Sequence, residues 1–264
     1  MASIEKYTNN QVIYILRHNT REAPQPPSNI DIDKDRTPQN YVLSDNGKES
    51  ADIIKYYKER KKELYIYGRK DVVTACQWVI TAPKELSKEQ ERNFFKSCHN
   101  FLCDKYGNRN CLLSVVHCDE GVKNKDGEII AGRSHLHFVF MPVVKNKNFL
   151  QPTNTGNVPK SRQFKEKLCC NDLINKKHLQ QFHPDLQKYI SKKGFNVKIQ
   201  TGITKQQGKN IRVEQLKEQT RTKELEKEIK NLKQQIKEKE IENNNSWSND
   251  SGWSKGENIW EEEF

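Results

Sequence analysis

Apolar and polar positions change period several times along the 264 residues, and each change predicts an element. Gln11 to Arg17 (Gln-Val-Ile-Tyr-Ile-Leu-Arg) is rich in β-branched and aromatic residues and predicts a strand that delivers His18 at its end. Residues 22–40 hold Pro24, Pro26, Pro27 and Pro38 among Asp and Asn, which predicts an extended loop. From Ala51 to Tyr65, the residues Ile53, Ile54, Tyr57 and Leu64 recur at helical spacing. Val72 to Ala82, centred on Trp78-Val-Ile, predicts the next strand. Ser87 with Gln90 three residues on is a capping-box pattern, and Phe94, Phe95, Cys98, Phe101 and Leu102 then line one helical face until Gly107 stops it. Strands follow at 111–118 and 134–144, joined by a long hydrophilic hairpin loop over 119–133 that contains Asp126-Gly127. Gln163 to Cys170 predicts a short helical segment. His178 to Lys193 predicts a longer helix, with Leu179, Phe182, Leu186, Tyr189 and Ile190 toward the core and Gly194 as its end. Hairpin-linked strands with helices packed on one face give an α+β class, an antiparallel β-sheet covered by helices.

Composition divides the chain into three parts. Residues 1–210 carry the sheet and its helices. Residues 211–242 are a charged helix in which Leu225, Ile229, Leu232 and Ile236 are spaced 4, 3 and 4. That spacing fits a short coiled-coil seam joining two copies, and equally a single solvated helix, since two heptads are marginal. Residues 243–264 are low in complexity and end in Trp260-Glu-Glu-Glu-Phe264, which predicts a disordered acidic tail.

Charge narrows the partners. The formal net charge is +11, so the surface attracts polyanions, unless its lysines only keep it solvated. Seven cysteines, without a C-x-x-C pair, indicate neither a zinc ribbon nor a thioredoxin-like centre and suit a reducing cytoplasm. The N-terminus lacks a hydrophobic signal core, and no apolar run approaches the ~20 residues that span a bilayer. A cytoplasmic, soluble protein without a membrane segment is expected.

Candidate chemistry sits in Ser134-His-Leu-His-Phe-Val-Phe-Met-Pro142. Side chains two apart on a strand share a face, so His135 and His137 project together. His117 ends the apolar run Leu112-Leu-Ser-Val-Val-His117. Antiparallel pairing of the two strands would bring three imidazoles to one point, a divalent-metal site. His99, His178 and His183 lie on predicted helices without a companion pattern and are read as structural. A metal site on a basic chain points to phosphodiester chemistry on a nucleic acid.

His135-Leu-His137, flanked by hydrophobes, is similar to the HUH motif of single-strand DNA endonucleases. More narrowly, the chain resembles the MobV (Pre/Mob) plasmid relaxases. The matching segments are His18-Asn-Thr-Arg21, Gln39-Asn-Tyr41, Trp78-Val-Ile-Thr81, Val116-His-Cys-Asp-Glu120, His135-Leu-His137 and Tyr189-Ile-Ser-Lys-Lys-Gly-Phe195, in the family's order over roughly residues 10–200. One departure is a longer loop, Gly121 to Ser134, which is hydrophilic and can extend outward without shifting the strands.

The resemblance implies nicking and rejoining of one strand of plasmid DNA at an origin of transfer, presented single-stranded or as an extruded hairpin. His117, His135 and His137 would hold Mn²⁺ or Mg²⁺, with nitrogen ligands favouring Mn²⁺ or a later metal. His18 would be the nucleophile, forming a phosphoramidate to the 5′-phosphate and releasing a 3′-hydroxyl. Arg21 would pair with the phosphate and disfavour protonation of His18. Glu120 would orient the His18 ring or serve as a fourth ligand, the orienting role being preferred. Tyr41 and Tyr106 match DNA-contacting positions, and Lys and Arg in 145–193 would add backbone affinity.

Other readings stay open. Arg17-His-Asn-Thr-Arg21 also suits a basic phosphate-contacting loop. A rolling-circle replication initiator would use Tyr189 of Tyr189-x-x-Lys192 as nucleophile, although its helical spacing with Leu186 and Ile190 makes Tyr189 a core residue. A non-catalytic DNA-binding protein and a structural zinc site complete the alternatives.

Overall fold

The computed structural model describes residues 2–23, 32–123, 129–151, 158–199 and 213–249. It divides into two units, Met1–Gly202 and Ile203–Phe264. The first is built on a five-stranded antiparallel sheet. In chain order the strands are β1 (Ala2–Thr8), β2 (Tyr41–Val42), β3 (Val73–Thr81), β4 (Cys111–His117) and, after the ribbon strands β5 (Gly121–Lys123) and β6 (Ile129–Ala131), β7 (His135–Phe140). Their order across the sheet is β1-β3-β7-β4-β2, so the strand bearing His135 and His137 is central.

Strand periodicity gives that central strand two characters. Leu136, Phe138 and Phe140 face a core with Trp78, Cys98 and Leu102, against α3 (Lys88–Tyr106) and α5 (Lys176–Lys192). Val139 faces the other way, with Leu113 and Val115, against α1 (Asn9–Asn19) and α2 (Ser50–Lys62). The expected α+β class holds, but helices cover both faces and not one. Trp78 stacks on Phe182 at 3.5 Å between ring centres and donates its indole N–H to the Tyr106 hydroxyl at 2.7 Å.

The segment expected as a strand over 11–17 is helix α1. Val12 and Leu16 are fully buried four residues apart, while Tyr14 between them is 53% exposed, which is helical and not alternating placement. The helix starts at a Thr8-x-x-Gln11 capping pattern, in which the Thr8 N–H donates to Gln11 Oε1 at 2.9 Å. The box expected at Ser87 does not form: Ser87 is the N-cap of α3 but its side chain makes no cap hydrogen bond. Gly107 ends α3 as expected, at φ 87°. The first strand, β1, is an edge strand of mixed burial that the sequence did not announce.

Three further expectations change. Pro142 has no N–H for a ladder, and the strand over 134–144 breaks there into β7 and β8 (Val143–Lys145). The segment 163–170 is not helical: β9 (Glu166–Leu168) pairs with β8, and a short helix, α4 (Cys170–Leu173), follows. The loop over 119–133 contains the antiparallel ribbon β5–β6; its Asp126-Gly127 lies outside the described residues. On α5, Phe182, Leu186 and Ile190 are buried, but Leu179 is exposed.

The second unit contains α6 (Val213–Asn249), which runs past the boundary expected at 242. Residues 250–264, most of the tail expected to be disordered, lie outside the described residues. Leu225, Ile229, Leu232 and Ile236 are each about half exposed on this helix. No helix among the described residues is long and apolar enough to cross a membrane.

The stack of Trp78 on Phe182 ties α5 to the sheet, so Phe182→Ala should lower the unfolding free energy by about 3–5 kcal/mol in chemical denaturation. A loss under about 1 kcal/mol would show that the stack is not part of the cooperative core.

Candidate metal centre

The strand register assembles the three imidazoles. His117 and His135 are direct cross-strand partners between β4 and β7, and His137 lies two residues along β7 on the same face. Ring centres are 5.6 Å apart for His117 and His135, 4.6 Å for His117 and His137, and 4.8 Å for His135 and His137. Glu120 joins them. One potential ligand atom from each of His117, Glu120, His135 and His137 lies within 4.8 Å of the others, the only such group of three or more among the described residues.

The donor set fits a divalent cation. His117 Nε2 lies 2.8 Å from the main-chain carbonyl of Asn19. A carbonyl only accepts, so Nε2 carries the proton and Nδ1 keeps its lone pair. That Nδ1 is buried without a partner, as are both ring nitrogens of His137. Buried nitrogens left unsatisfied are costly unless something else takes their lone pairs. A metal ion of borderline softness does so, and an N–H donated to the protein from the far side of a ligating ring is the usual support.

Fixed charges surround the rings. Arg21 Nε and Nη2 donate to Asp119 Oδ2 and Oδ1 at 3.0 and 2.7 Å, and Nη2 also reaches Glu120 Oε1 at 2.9 Å. Glu120 Oε1 is 3.8 Å from His117 Nδ1, and Oε2 is 3.4 Å from His135 Nε2. Burial opposes ionisation of Glu120, yet His135 and Arg21 hold its carboxyl well below the usual range. Burial, then the Arg21 charge, then His135, push the His117 ring down to about 3. Burial lowers His137 as well, so both rings are neutral ligands at neutral pH.

His18 stands in the last turn of α1, half-buried, its ring stacked over Tyr14 at 6.3 Å between centres. Burial lowers its pKa first and the Arg21 charge second, while Glu120 and Asp119 oppose. The partners of Glu120 are Arg21, His117 and His135, so it stands among the metal-facing groups and not as the orienting partner of His18. Arg21 is engaged by carboxylates and keeps only a buried Nη1 without a partner. Tyr41 lies half-buried on edge strand β2 with the Arg92 guanidinium 4.6 Å from its ring centre. Tyr106 is 5% exposed, its ring stacked on Phe140 at 4.1 Å, so it is a core residue with no face to offer a base. Tyr189 packs on Phe101 of α3, on the opposite face of the sheet from the imidazoles.

The groups that sequence reasoning missed are the supports. Asp119 is fully buried and also accepts from Thr37 Oγ1 at 3.0 Å and Asn40 Nδ2 at 2.7 Å. Asn40 Oδ1 in turn accepts the Cys118 N–H at 2.7 Å. Both Asn40 and Asp119 fall inside the matched segments Gln39-Asn-Tyr41 and Val116-His-Cys-Asp-Glu120, which was the available signal.

The profile of the plasmid recombination enzyme family (Mob_Pre) matches residues 1–218. The chain belongs to the Mob/Pre plasmid recombination family. Among curated Mob/Pre relatives, a plasmid recombination enzyme of Lactiplantibacillus plantarum is 28% identical over 225 residues, 82% of this chain and 52% of its own length. A type 1 plasmid recombination enzyme of Staphylococcus aureus is 31% identical over 173 residues, covering 62% of this chain and 38% of its own. The chain spans about half the length of the curated relatives it matches. The MobM relaxase domain, in an Mn-bound crystal structure with plasmid pMV158 oriT DNA, is similar with a TM-score of 0.61 and 25% identity, covering 83% of this chain and 97% of that one.

For this Mob/Pre chain the neutral rings set a pH dependence. Unfolded imidazoles bind protons near 6.5, whereas folded His117 and His137 resist them. Their contribution to stability is complete above that value and is lost as pH falls below it. With a chelator present, stability should therefore drop from about pH 6.5 toward 4.5, by roughly 1.4 kcal/mol per pH unit per ring, and His137→Asn should flatten the slope. An unchanged slope in that variant, followed by thermal melts, would mean the ring titrates as it does in water.

Proposed function

We propose that this chain nicks and rejoins one strand of plasmid DNA at an origin of transfer, with His18 as the nucleophile. One observation carries the reading: three imidazoles and Glu120 converge on the face of the sheet covered by α1, whose end holds His18 and leads into Arg21. The likeness to an Mn-bound relaxase domain on oriT DNA supports it. The net charge of +11 supplies salt-dependent attraction to the phosphate backbone.

A bound divalent ion at His117, Glu120, His135 and His137 supplies Lewis-acid stabilisation of the charge that builds on the phosphate. The chain's own groups do the rest. His18, kept neutral by burial and by Arg21, offers a ring lone pair to phosphorus. The N–P bond forms as the bond to the 3′-oxygen breaks; the ring's other N–H gives up a proton as that oxygen gains one. The exchange balances, leaves a covalent 5′-phosphate adduct, and runs backward to rejoin the strand. Arg21 is held by Asp119, and its Nη1, which has no partner in the protein, is the donor left for the phosphate. Tyr41 with Arg92 makes an edge platform on which an unpaired base can rest. The cytoplasm, where plasmid DNA and free thiols persist, is the place of action.

His18→Ala should abolish metal-dependent relaxation of supercoiled plasmid and the covalent adduct seen by mass spectrometry, while Tyr189→Phe should leave both near wild type. The reverse result would establish a tyrosine nucleophile. Metal-independent binding without nicking by the unaltered chain would leave a DNA-binding module, and inert, non-exchanging zinc a structural site.

The apolar row on α6 we assign to pairing of two copies. Sedimentation should show a dimer that Ile229→Asp with Leu232→Asp converts to monomer; a wild-type monomer at micromolar concentration would leave α6 a solvated helix.

A further inference from the structure

Gln77 is a polar residue in the buried middle of β3, 2% exposed, and its amide is fully oriented by its neighbours. Directly across the β1–β3 ladder lies Glu5, whose Oε2 is 3.3 Å from Gln77 Nε2, and the Tyr7 hydroxyl is 3.2 Å from the same nitrogen. A carboxylate only accepts, so the amide must turn its NH₂ toward Glu5 and its carbonyl inward. The inward Oε1 accepts Asn19 Nδ2 at 2.6 Å. The other end of the Asn19 amide, Oδ1, is buried without a partner, so Gln77 holds that side chain alone.

Asn19 is the last residue of α1 and sits between the two N-terminal groups assigned to chemistry. His18 precedes it, Arg21 follows two residues on, and its main-chain carbonyl takes the N–H of His117 at 2.8 Å. Two consequences meet at one bond. The end of α1, which carries His18, is tied to the sheet, and His117 is confined to the tautomer whose Nδ1 faces the cluster. A polar side chain in mid-strand is costly to bury for packing alone, since an aliphatic residue fills such a space without desolvation.

We propose that Gln77 is a positioning residue, which through Asn19 fixes both the tautomer of the metal-facing His117 and the seat of His18. The part concerning His18 rests on the nucleophile reading above; the part concerning His117 does not. A lost support of this kind typically weakens metal binding by about 10–100-fold.

The test uses the full chain with Gln77→Leu and, separately, Asn19→Ala, which removes the same hydrogen bond but retains the main-chain carbonyl. Mn²⁺ affinity is measured by isothermal titration, the His117 tautomer by ¹⁵N NMR of the metal-free protein, and plasmid nicking by kcat and KM. The expected result for both variants is an Mn²⁺ dissociation constant raised about 10-fold or more. His117 should lose its single Nε2–H signature, and kcat should fall with KM for plasmid unchanged. Mn²⁺ affinity within about twofold of wild type, with the tautomer intact and only the melting temperature lowered, would make Gln77 a packing residue and overturn the proposal. If Gln77→Leu fails to fold, Asn19→Ala alone decides by the same readouts. Wild-type protein that shows the tautomer and binds Mn²⁺ yet never nicks would sink the relaxase reading and leave the His117 part of this one standing.

Discussion

The site depends on one buried ion pair, Arg21 with Asp119. Two parallel hydrogen bonds join them, and neither side chain is more than 9% exposed. Taking both charges out of water is expensive, and the pair is tolerated because Asp119 has further donors in Thr37 and Asn40. The same pair holds Arg21 at φ 63°, a left-handed conformation that a non-glycine residue adopts only under constraint. That turn lets the chain leave α1 immediately after His18 and Asn19. The loop after β4 and the segment over 32–40 close on the same carboxylate, so three stretches of chain distant in sequence share one electrostatic knot.

Around the knot, charge and neutrality are divided cleanly. Arg21 and Asp119 hold each other ionised, His135 and Arg21 hold Glu120 so, while burial and the arginine keep His117, His137 and His18 neutral. A ring that must donate a lone pair to a metal needs that division. Strand pairing supplies the spatial counterpart. The period of two on β7 sends aromatic residues to the α3–α5 core and histidines to the opposite face, so the metal-facing rings can sit side by side without breaking the hydrophobic layer behind them.

What the sequence disclosed follows from the range of the forces involved. His135 and His137 were legible because alternation on a strand is strictly local, and His117 because it ends an apolar run on the neighbouring strand. The helix at 11–17 was misread because its β-branched composition outweighed the Thr8-x-x-Gln11 cap and the Val12–Leu16 spacing. Tyr106 was misplaced because its burial is decided by Phe140 and Trp78 across the core. Beyond its place in the matched segment, Asp119 carries no local sign of its role: its partners Arg21, Thr37 and Asn40 lie 98, 82 and 79 residues away. Gln77 was passed over for the same reason, since a glutamine in an apolar strand looks like an exception until Asn19 and Glu5 arrive on either side.

The segment between the two histidine strands carries the paired strands β5 and β6, and its base is fastened on both flanks of Glu120. The Gly132 N–H donates to the Glu120 carbonyl at 2.8 Å, and Ile32 forms a bridge to Glu120 from the other side. A Cβ at position 132 would lie 2.7 Å from that carbonyl oxygen, closer than any side chain permits, so the fastening requires glycine. The base of this segment is therefore closed by backbone contacts at Glu120. The residue whose carboxylate faces the imidazoles is held by these backbone contacts at the base.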